Sequence, residues 1–118
     1  MKRKSQILPP ILNQKLSAIQ ELCRRYKVKN LWVFGSVLTN RFREDSDIDF
    51  LYEMDRSSMA EGEYLPNLDG LIAGLLAMFP ERKLDLVHYP SLKNPYFIES
   101  IEETKVILYD QRREEVSF

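Results

Sequence analysis

The sequence predicts a single α+β domain built in two layers. Its length, 118 residues, suits one domain. Its segments alternate as helix, strand, short helix, strand, helix, strand, helix, strand. No internal repeat, linker or low-complexity stretch divides it, so 1–118 reads as one unit, with a C-terminal tail over about 111–118. A chain of this size buries roughly two-thirds of the surface that its unfolded form exposes.

The elements follow from hydrophobic spacing. From Ile11 to Tyr26, the residues Leu12, Leu16, Ile19, Cys23 and Tyr26 repeat at four and three, one face of a helix. Cys23 lies on that stripe and reads as core packing. Leu31 to Phe34 is a β-prone run, and Ser36 opens a short helix over Val37 to Phe42. Asp47 to Tyr52 is the second strand. The polar stretch Glu53–Glu63, with Gly62, reads as an irregular, mobile loop. Leu65, Leu68, Leu71, Ile72, Leu75, Leu76 and Phe79 mark a long helix that Pro80 stops. Gly70 and Gly74 inside it cost about 1 kcal/mol each against alanine, which close packing on the sheet would explain; a Gly-x-x-x-Gly dimer face is the alternative. Lys83 to Val87 forms the third strand. Asn94-Pro95 opens a last helix through about Lys105, with Phe97, Ile98 and Ile101 as its apolar positions, and Val106 to Tyr109 closes the chain as an edge strand.

Composition narrows the function. With 17 basic and 18 acidic side chains, a net charge of −1 and a pI near 5.9, the chain has no bulk positive field for nucleic acid, so no direct nucleic-acid binding is expected. Lys2-Arg3-Lys4 reads as a solvated terminus, although Val116 and Phe118 at the other end could dock on a partner. One cysteine permits no internal disulfide and suits a reducing cytoplasm. There is no apolar signal segment, and the longest apolar run, Leu71 to Phe79, is too short to span a bilayer. The expectation is a soluble, cytoplasmic protein.

The chemistry concentrates in Gly35-Ser36 and, ten residues on, Asp47-Ile48-Asp49. Glycine lets backbone approach a ligand closely, and amides with a hydroxyl at a helix start bind phosphate. On a strand, Asp47 and Asp49 point one way and Ile48 and Phe50 the other, with the two acids about 7 Å apart along the backbone. At about 4 Å two like charges repel by ~4 kcal/mol at an effective dielectric of 20. An apolar strand with such a pair and no adjacent Lys or Arg calls for a cation, and oxygen ligands favour Mg²⁺ or Mn²⁺ over zinc. Asp85 is the other aspartate set inside an apolar strand run. Glu53, Asp69 and Glu81 fall at element ends or on a helix, where solvated charge accounts for them. His88, the one histidine, reads as a partly buried strand-end residue, with contact to a substrate as the alternative. One His and one Cys exclude a structural zinc site.

Gly35-Ser36, ten residues, then Asp47-x-Asp49 resembles the signature of the DNA polymerase β-like nucleotidyltransferase superfamily. The short chain looks like its smallest branch, the minimal nucleotidyltransferases (MNT), many of them antitoxins paired with HEPN-domain ribonuclease toxins. The likeness extends from the helix before Leu31 to the strand at Val106–Tyr109. It implies the nucleotidyltransferase fold, a small mixed sheet with helices mainly on one face. It also implies that Asp85 is the third carboxylate, from a strand beside the Asp-x-Asp strand. By this resemblance Asp47, Asp49 and Asp85 are catalytic and bind two Mg²⁺ ions (Mn²⁺ being possible), Gly35 and Ser36 hold the nucleotide, and ATP is the substrate. The implied activity is transfer of AMP to a hydroxyl, a tyrosine's, on a HEPN toxin that forms a hetero-oligomer with this chain. The alternatives are a non-catalytic module that masks the toxin and a transferase acting on a small-molecule hydroxyl. One departure stands out: family members often carry a small residue, an arginine and a glycine where this chain has Leu38, Thr39 and Asn40. Asn tolerates the left-handed backbone that glycine would supply.

Overall fold

A computed structural model describes residues 8–113. The Lys2-Arg3-Lys4 run, Val116 and Phe118 lie outside them. Among the described residues the elements are α1 (Pro10–Asn13), α2 (Leu16–Arg25), β1 (Val28–Phe34), β2 (Ile48–Met54), α3 (Tyr64–Met78), β3 (Leu84–His88), α4 (Pro95–Thr104) and β4 (Val106–Asp110). Short 3₁₀ turns occupy Gly35–Leu38, Arg56–Ser58 and Tyr89–Ser91. The four strands form one mixed sheet in the order β3-β2-β1-β4. β1 runs antiparallel to both β2 and β4, whereas β2 and β3 are parallel. The parallel pair requires a crossover, and α3 supplies it.

Alternation along the strands divides the sheet into two unlike faces. Leu31 and Val33 of β1, Ile48 and Phe50 of β2, and Leu108 of β4 are fully buried and pack with Leu12, Ile19, Cys23, Leu71 and Leu75 from α1, α2 and α3. Burial of each such side chain contributes about 1.5–3 kcal/mol, and this face holds most of the core. The opposite face carries Phe34, Leu51 and Ile101, with Trp32, Val87 and Tyr89 against them. Only α4 covers it. The α+β expectation, with helices mainly on one face, therefore holds: among the described residues three α-helices lie on one side and one on the other.

Several expected elements take a different form. Ile11 to Tyr26 is two helices, because Lys15 N–H bonds to the Leu12 carbonyl at 3.0 Å, a tightened turn that separates α1 from α2. Both Leu12 and Ile19 thereby reach the core. The helix expected over Val37 to Phe42 is a single 3₁₀ turn ending at Leu38. Asn40 does not take the left-handed conformation; among described non-glycine residues only Lys27 has positive φ, +61°. Glu53–Glu63 is not one irregular loop. Glu53 and Met54 finish β2, and the rest is tied by Lys27 Nζ donating to the Ser58 carbonyl and Glu63 Oε1, both at 3.0 Å, and by Gln111 Nε2 donating to Asp55 Oδ2 at 2.7 Å.

The α3 stripe is narrower than its apolar residues suggest. Leu71, Leu75 and Phe79 are buried and Leu68 and Ile72 partly so, but Leu65 is 63% and Leu76 47% exposed. A helix lying on a sheet buries one row, and those two leucines fall beside it. Gly70 and Gly74 do pack closely, against α2 rather than the sheet. A methyl at Gly70 would overlap the Tyr26 ring, and one at Gly74 would overlap the Leu22 side chain. The Gly-x-x-x-Gly spacing is used within the protomer. α4 opens as expected, with Asn94 Oδ1 accepting from Tyr96 N–H at 2.9 Å and Phe97 N–H at 3.2 Å.

Candidate active site

β2 and β3 bring two of the three candidate acids together by register. In their parallel ladder Asp49 pairs with Asp85, and paired residues on adjacent strands stand about 4.8 Å apart with side chains on the same face. That face is the one opposite the main core, since Ile48, Phe50, Leu84 and Leu86 all turn towards α1–α3. α4 covers the same face further along, at Phe34 and Leu51, and the acids lie where that cover ends. Asp85 is exposed and Asp49 half-buried.

Asp47 takes a different position from the one expected. It is exposed and precedes β2, which begins at Ile48. The strand starts late because its first inter-strand bond is Ile48 N–H to the Lys83 carbonyl, at 3.1 Å. Asp47 still acts on Asp49 electrostatically. Burial pushes the Asp49 carboxyl above the usual carboxylate range, and the charges of Asp85 and then Asp47 push it further. Asp49 is thus the centre of an acidic trio whose members repel one another.

Gly35 sits directly against this centre. β1 ends at Phe34, which pairs with Asp49, and Gly35 then turns with φ +84°. A Cβ on Gly35 would overlap Asp49 Oδ2 and stand 3.3 Å from its Cγ. Only a glycine both accepts this backbone and leaves the carboxylate in place. The Gly-Ser and Asp-x-Asp halves of the motif are therefore one structure, joined by β1–β2 pairing.

The connection between them is held from outside. Ser46 Oγ accepts from Arg43 N–H at 3.0 Å, and Ser46 N–H donates to the Arg43 carbonyl at 3.1 Å, closing a turn. Arg82, which follows α3, donates from one terminal nitrogen to the Arg43 and Ser46 carbonyls, at 2.8 and 3.0 Å. Neither Arg82 nor Phe34 stands out in the sequence as a site residue. Phe34 could have been found from its place beside the Gly-Ser turn, whereas nothing in the sequence pairs Arg82 with a turn so distant along the chain.

The donor set decides what such a site can hold. Its side chains are hard oxygen acids, suited to Mg²⁺ or Mn²⁺, and their mutual repulsion favours a bound cation. Among the described residues, however, no three His, Cys, Asp or Glu side chains form a group that would hold a metal ion by themselves. The residues fit a metal that arrives with further oxygen ligands, as a metal–polyphosphate does. His88 takes no part. It ends β3 at the far end from Asp85, with Nδ1 2.6 Å from Ser91 Oγ and its ring 5.2 Å from that of Tyr52.

Residues 17–114 match the polymerase beta nucleotidyltransferase family. The chain belongs to that family. Two Methanocaldococcus jannaschii proteins assigned by name as protein adenylyltransferases are similar to this nucleotidyltransferase. One is 37% identical over 99 residues, spanning 75% of this chain and 92% of the relative. The other is 39% identical over 84 residues, spanning 70% and 78%. A solved minimal nucleotidyltransferase is 27% identical with a TM-score of 0.64, covering 87% of this chain and 98% of that one. A toxin–antitoxin crystal structure with AMP-PNP shares the fold at a TM-score of 0.58 and 19% identity, covering 84% and 77%. The α+β architecture is the nucleotidyltransferase fold, and the chain is an enzyme of nucleotidyl transfer. No helix among its described residues is long and apolar enough to cross a membrane.

Proposed function

We propose that this nucleotidyltransferase moves AMP from ATP to a hydroxyl, a tyrosine's, on a HEPN-domain ribonuclease and so acts as its antitoxin in the cytoplasm. The single observation that carries the reading is the Asp49–Asp85 pair set in register against the α-carbon of Gly35. The names of the archaeal relatives support protein as the acceptor. The toxin–antitoxin neighbour solved with AMP-PNP agrees with a toxin partner and an adenine nucleotide.

Asp47, Asp49 and Asp85 would hold two Mg²⁺ ions together with the oxygens of the triphosphate. Bound there, the ions would neutralise the polyphosphate and polarise the reacting oxygens. Gly35 leaves room for the Asp49 carboxylate, and Ser36 and the amides after Gly35 would hold the β- and γ-phosphates. Asp85, the most open of the paired acids, orients the acceptor hydroxyl and takes up its proton. The acceptor oxygen bonds to the α-phosphorus, the bond from that phosphorus to the β-phosphate oxygen breaks, and pyrophosphate leaves with its electron pair. An AMP on the toxin would then add bulk and negative charge where RNA must bind.

The test is intact-mass spectrometry of the partner after incubation with ATP and Mg²⁺. Each transfer should add one AMP, and Asp47→Asn or Asp49→Asn should abolish it. If the double variant silences the ribonuclease at equimolar amounts with no change in partner mass, the protein works by masking. If pyrophosphate is released only with a small-molecule alcohol, the acceptor is not protein.

A further inference from the structure

Asp47 is the one candidate acid with no strand to hold it. It is exposed, on a connection whose 39–46 portion is tied mainly to itself: Thr39 Oγ1 accepts from Arg41 N–H at 3.1 Å, and the Arg43–Ser46 turn closes on its own backbone. A metal ligand on such a connection needs an outside anchor. Two consecutive residues provide one. The Arg82 guanidinium donates to the Arg43 and Ser46 carbonyls at 2.8 and 3.0 Å and lies 4.3 Å from the centre of the Phe42 ring. The Lys83 carbonyl accepts the Ile48 N–H at 3.1 Å. Residues 82 and 83 therefore grip the chain immediately before and immediately after Asp47.

We propose that Arg82 is a positioning residue of the active site, which sets Asp47 for the metal–nucleotide by clamping the Ser46 carbonyl. The inference rests on the reading of Asp47 as a metal–nucleotide ligand. Geometry makes the clamp specific. One nitrogen serves two carbonyls of the same turn, while the planar cation stacks on Phe42 within that connection, so sliding or rotation of the turn breaks several contacts together. Arginine suits both tasks because its guanidinium donates in a plane and stacks on aromatics. The clamp also joins α3 to the site, because Arg82 N–H donates to the Phe79 carbonyl at 3.1 Å, and Phe79 is a core residue at the end of that helix.

The experiment compares the wild type with Arg82→Ala, Arg82→Lys and, as control, Lys27→Ala. Lys27 ties a connection at the other end of β2 through Ser58 and Glu63 and should matter for stability alone. The readouts are Mn²⁺–AMP-PNP binding by calorimetry and, without metal, hydrogen exchange at the amides of 43–48. Removal of groups that orient metal ligands typically weakens metal affinity by roughly 10- to 100-fold. Arg82→Ala should lose affinity in that range and exchange faster at 43–48. Arg82→Lys, which keeps a donor for the two carbonyls, should recover much of both, and Lys27→Ala should bind as the wild type does. Wild-type affinity and wild-type exchange in Arg82→Ala would overturn the inference alone. Failure of the unmodified protein to bind Mn²⁺–AMP-PNP would overturn the nucleotide reading, and this inference with it.

Discussion

Replacing Gly35 by alanine should destabilise the domain by roughly twice as much as the same change at Gly62, and the difference has a single cause. Both glycines have positive φ, +84° and +86°, so each alanine meets the left-handed penalty of about 1–2 kcal/mol. At Gly62 nothing lies within 4 Å of the added methyl, whereas at Gly35 it overlaps Asp49 Oδ2. Forcing a side chain aside in a packed site adds about 1–3 kcal/mol. Gly62→Ala should then cost about 1–2 kcal/mol and Gly35→Ala about 2–5 kcal/mol, at about 4–8 °C of melting temperature per kcal/mol for a domain near this size. Urea unfolding of metal-free protein measures both. A double variant separates the steric part: the Asp49 Cβ would stand 3.6 Å from the new methyl, an ordinary contact, so in an Asp49→Ala background Gly35→Ala should cost no more than Gly62→Ala does. Equal costs at the two glycines in the wild-type background, with Mn²⁺–AMP-PNP still bound by Gly35→Ala, would refute the argument that Gly35 exists to make room for the carboxylate.

Two further outcomes follow from the charges and the core. Asp49 is held above its ordinary value of 3.8 by burial and by Asp85 and Asp47, so the folded state keeps this proton more tightly than the unfolded chain does. The stability from that proton is fully present below the ordinary value and is lost as pH rises through the higher folded value; Asp49→Asn should therefore be more stable than wild type at neutral pH without metal, by a margin that shrinks on acidification, and urea titrations in which the margin grows instead would contradict this. Cys23 is fully buried and its thiol is pushed up by that burial, so a thiol-reactive disulfide reagent should label it only at the rate of global unfolding, and rapid stoichiometric labelling of native protein would show the α2 core to be open.

The parts of this fold that were legible are those that local chemistry writes directly into neighbouring residues. Asn94-Pro95 announced the start of α4 because capping is a matter of three or four residues, and Leu84, Asp85 and Leu86 alternated as a strand does. Asp49 and Asp85 could be nominated from their apolar surroundings, but their pairing is a matter of register, which only the assembled sheet supplies. The spacing of Asp47 to Asp49 obeys alternation and so suggests a strand position for both; the ladder begins one residue later, with a bond from Ile48 N–H to the Lys83 carbonyl that no local pattern contains. The buried α3 stripe is narrower than its apolar residues imply for a related reason. Leu65 and Leu76 have the right residue type, but how many rows of a helix are covered depends on its neighbours. Gly70 and Gly74 stand out in the sequence as close-packing positions, while the surface they meet, Tyr26 and Leu22, depends on where α2 lies.

The parallel junction of β2 with β3 also has a consequence for the order in which the enzyme is made. β1 and β2 are antiparallel neighbours joined by one connection, a comparatively local pairing. β3 can reach β2 only after the whole of α3 has been placed between them, and the entropy of closing that longer loop is spent before its contacts are gained. Asp49 therefore enters a young sheet with no Asp85 beside it, and the repulsion between them arises only when β3 docks. A nascent chain that has emerged only as far as α3 carries Gly35, Ser36, Asp47 and Asp49 but lacks both Asp85 and the residues, Arg82 and Lys83, that hold the chain on either side of Asp47. On the proposed reading of these acids, the site is completed late in synthesis, with the strand that begins at Leu84.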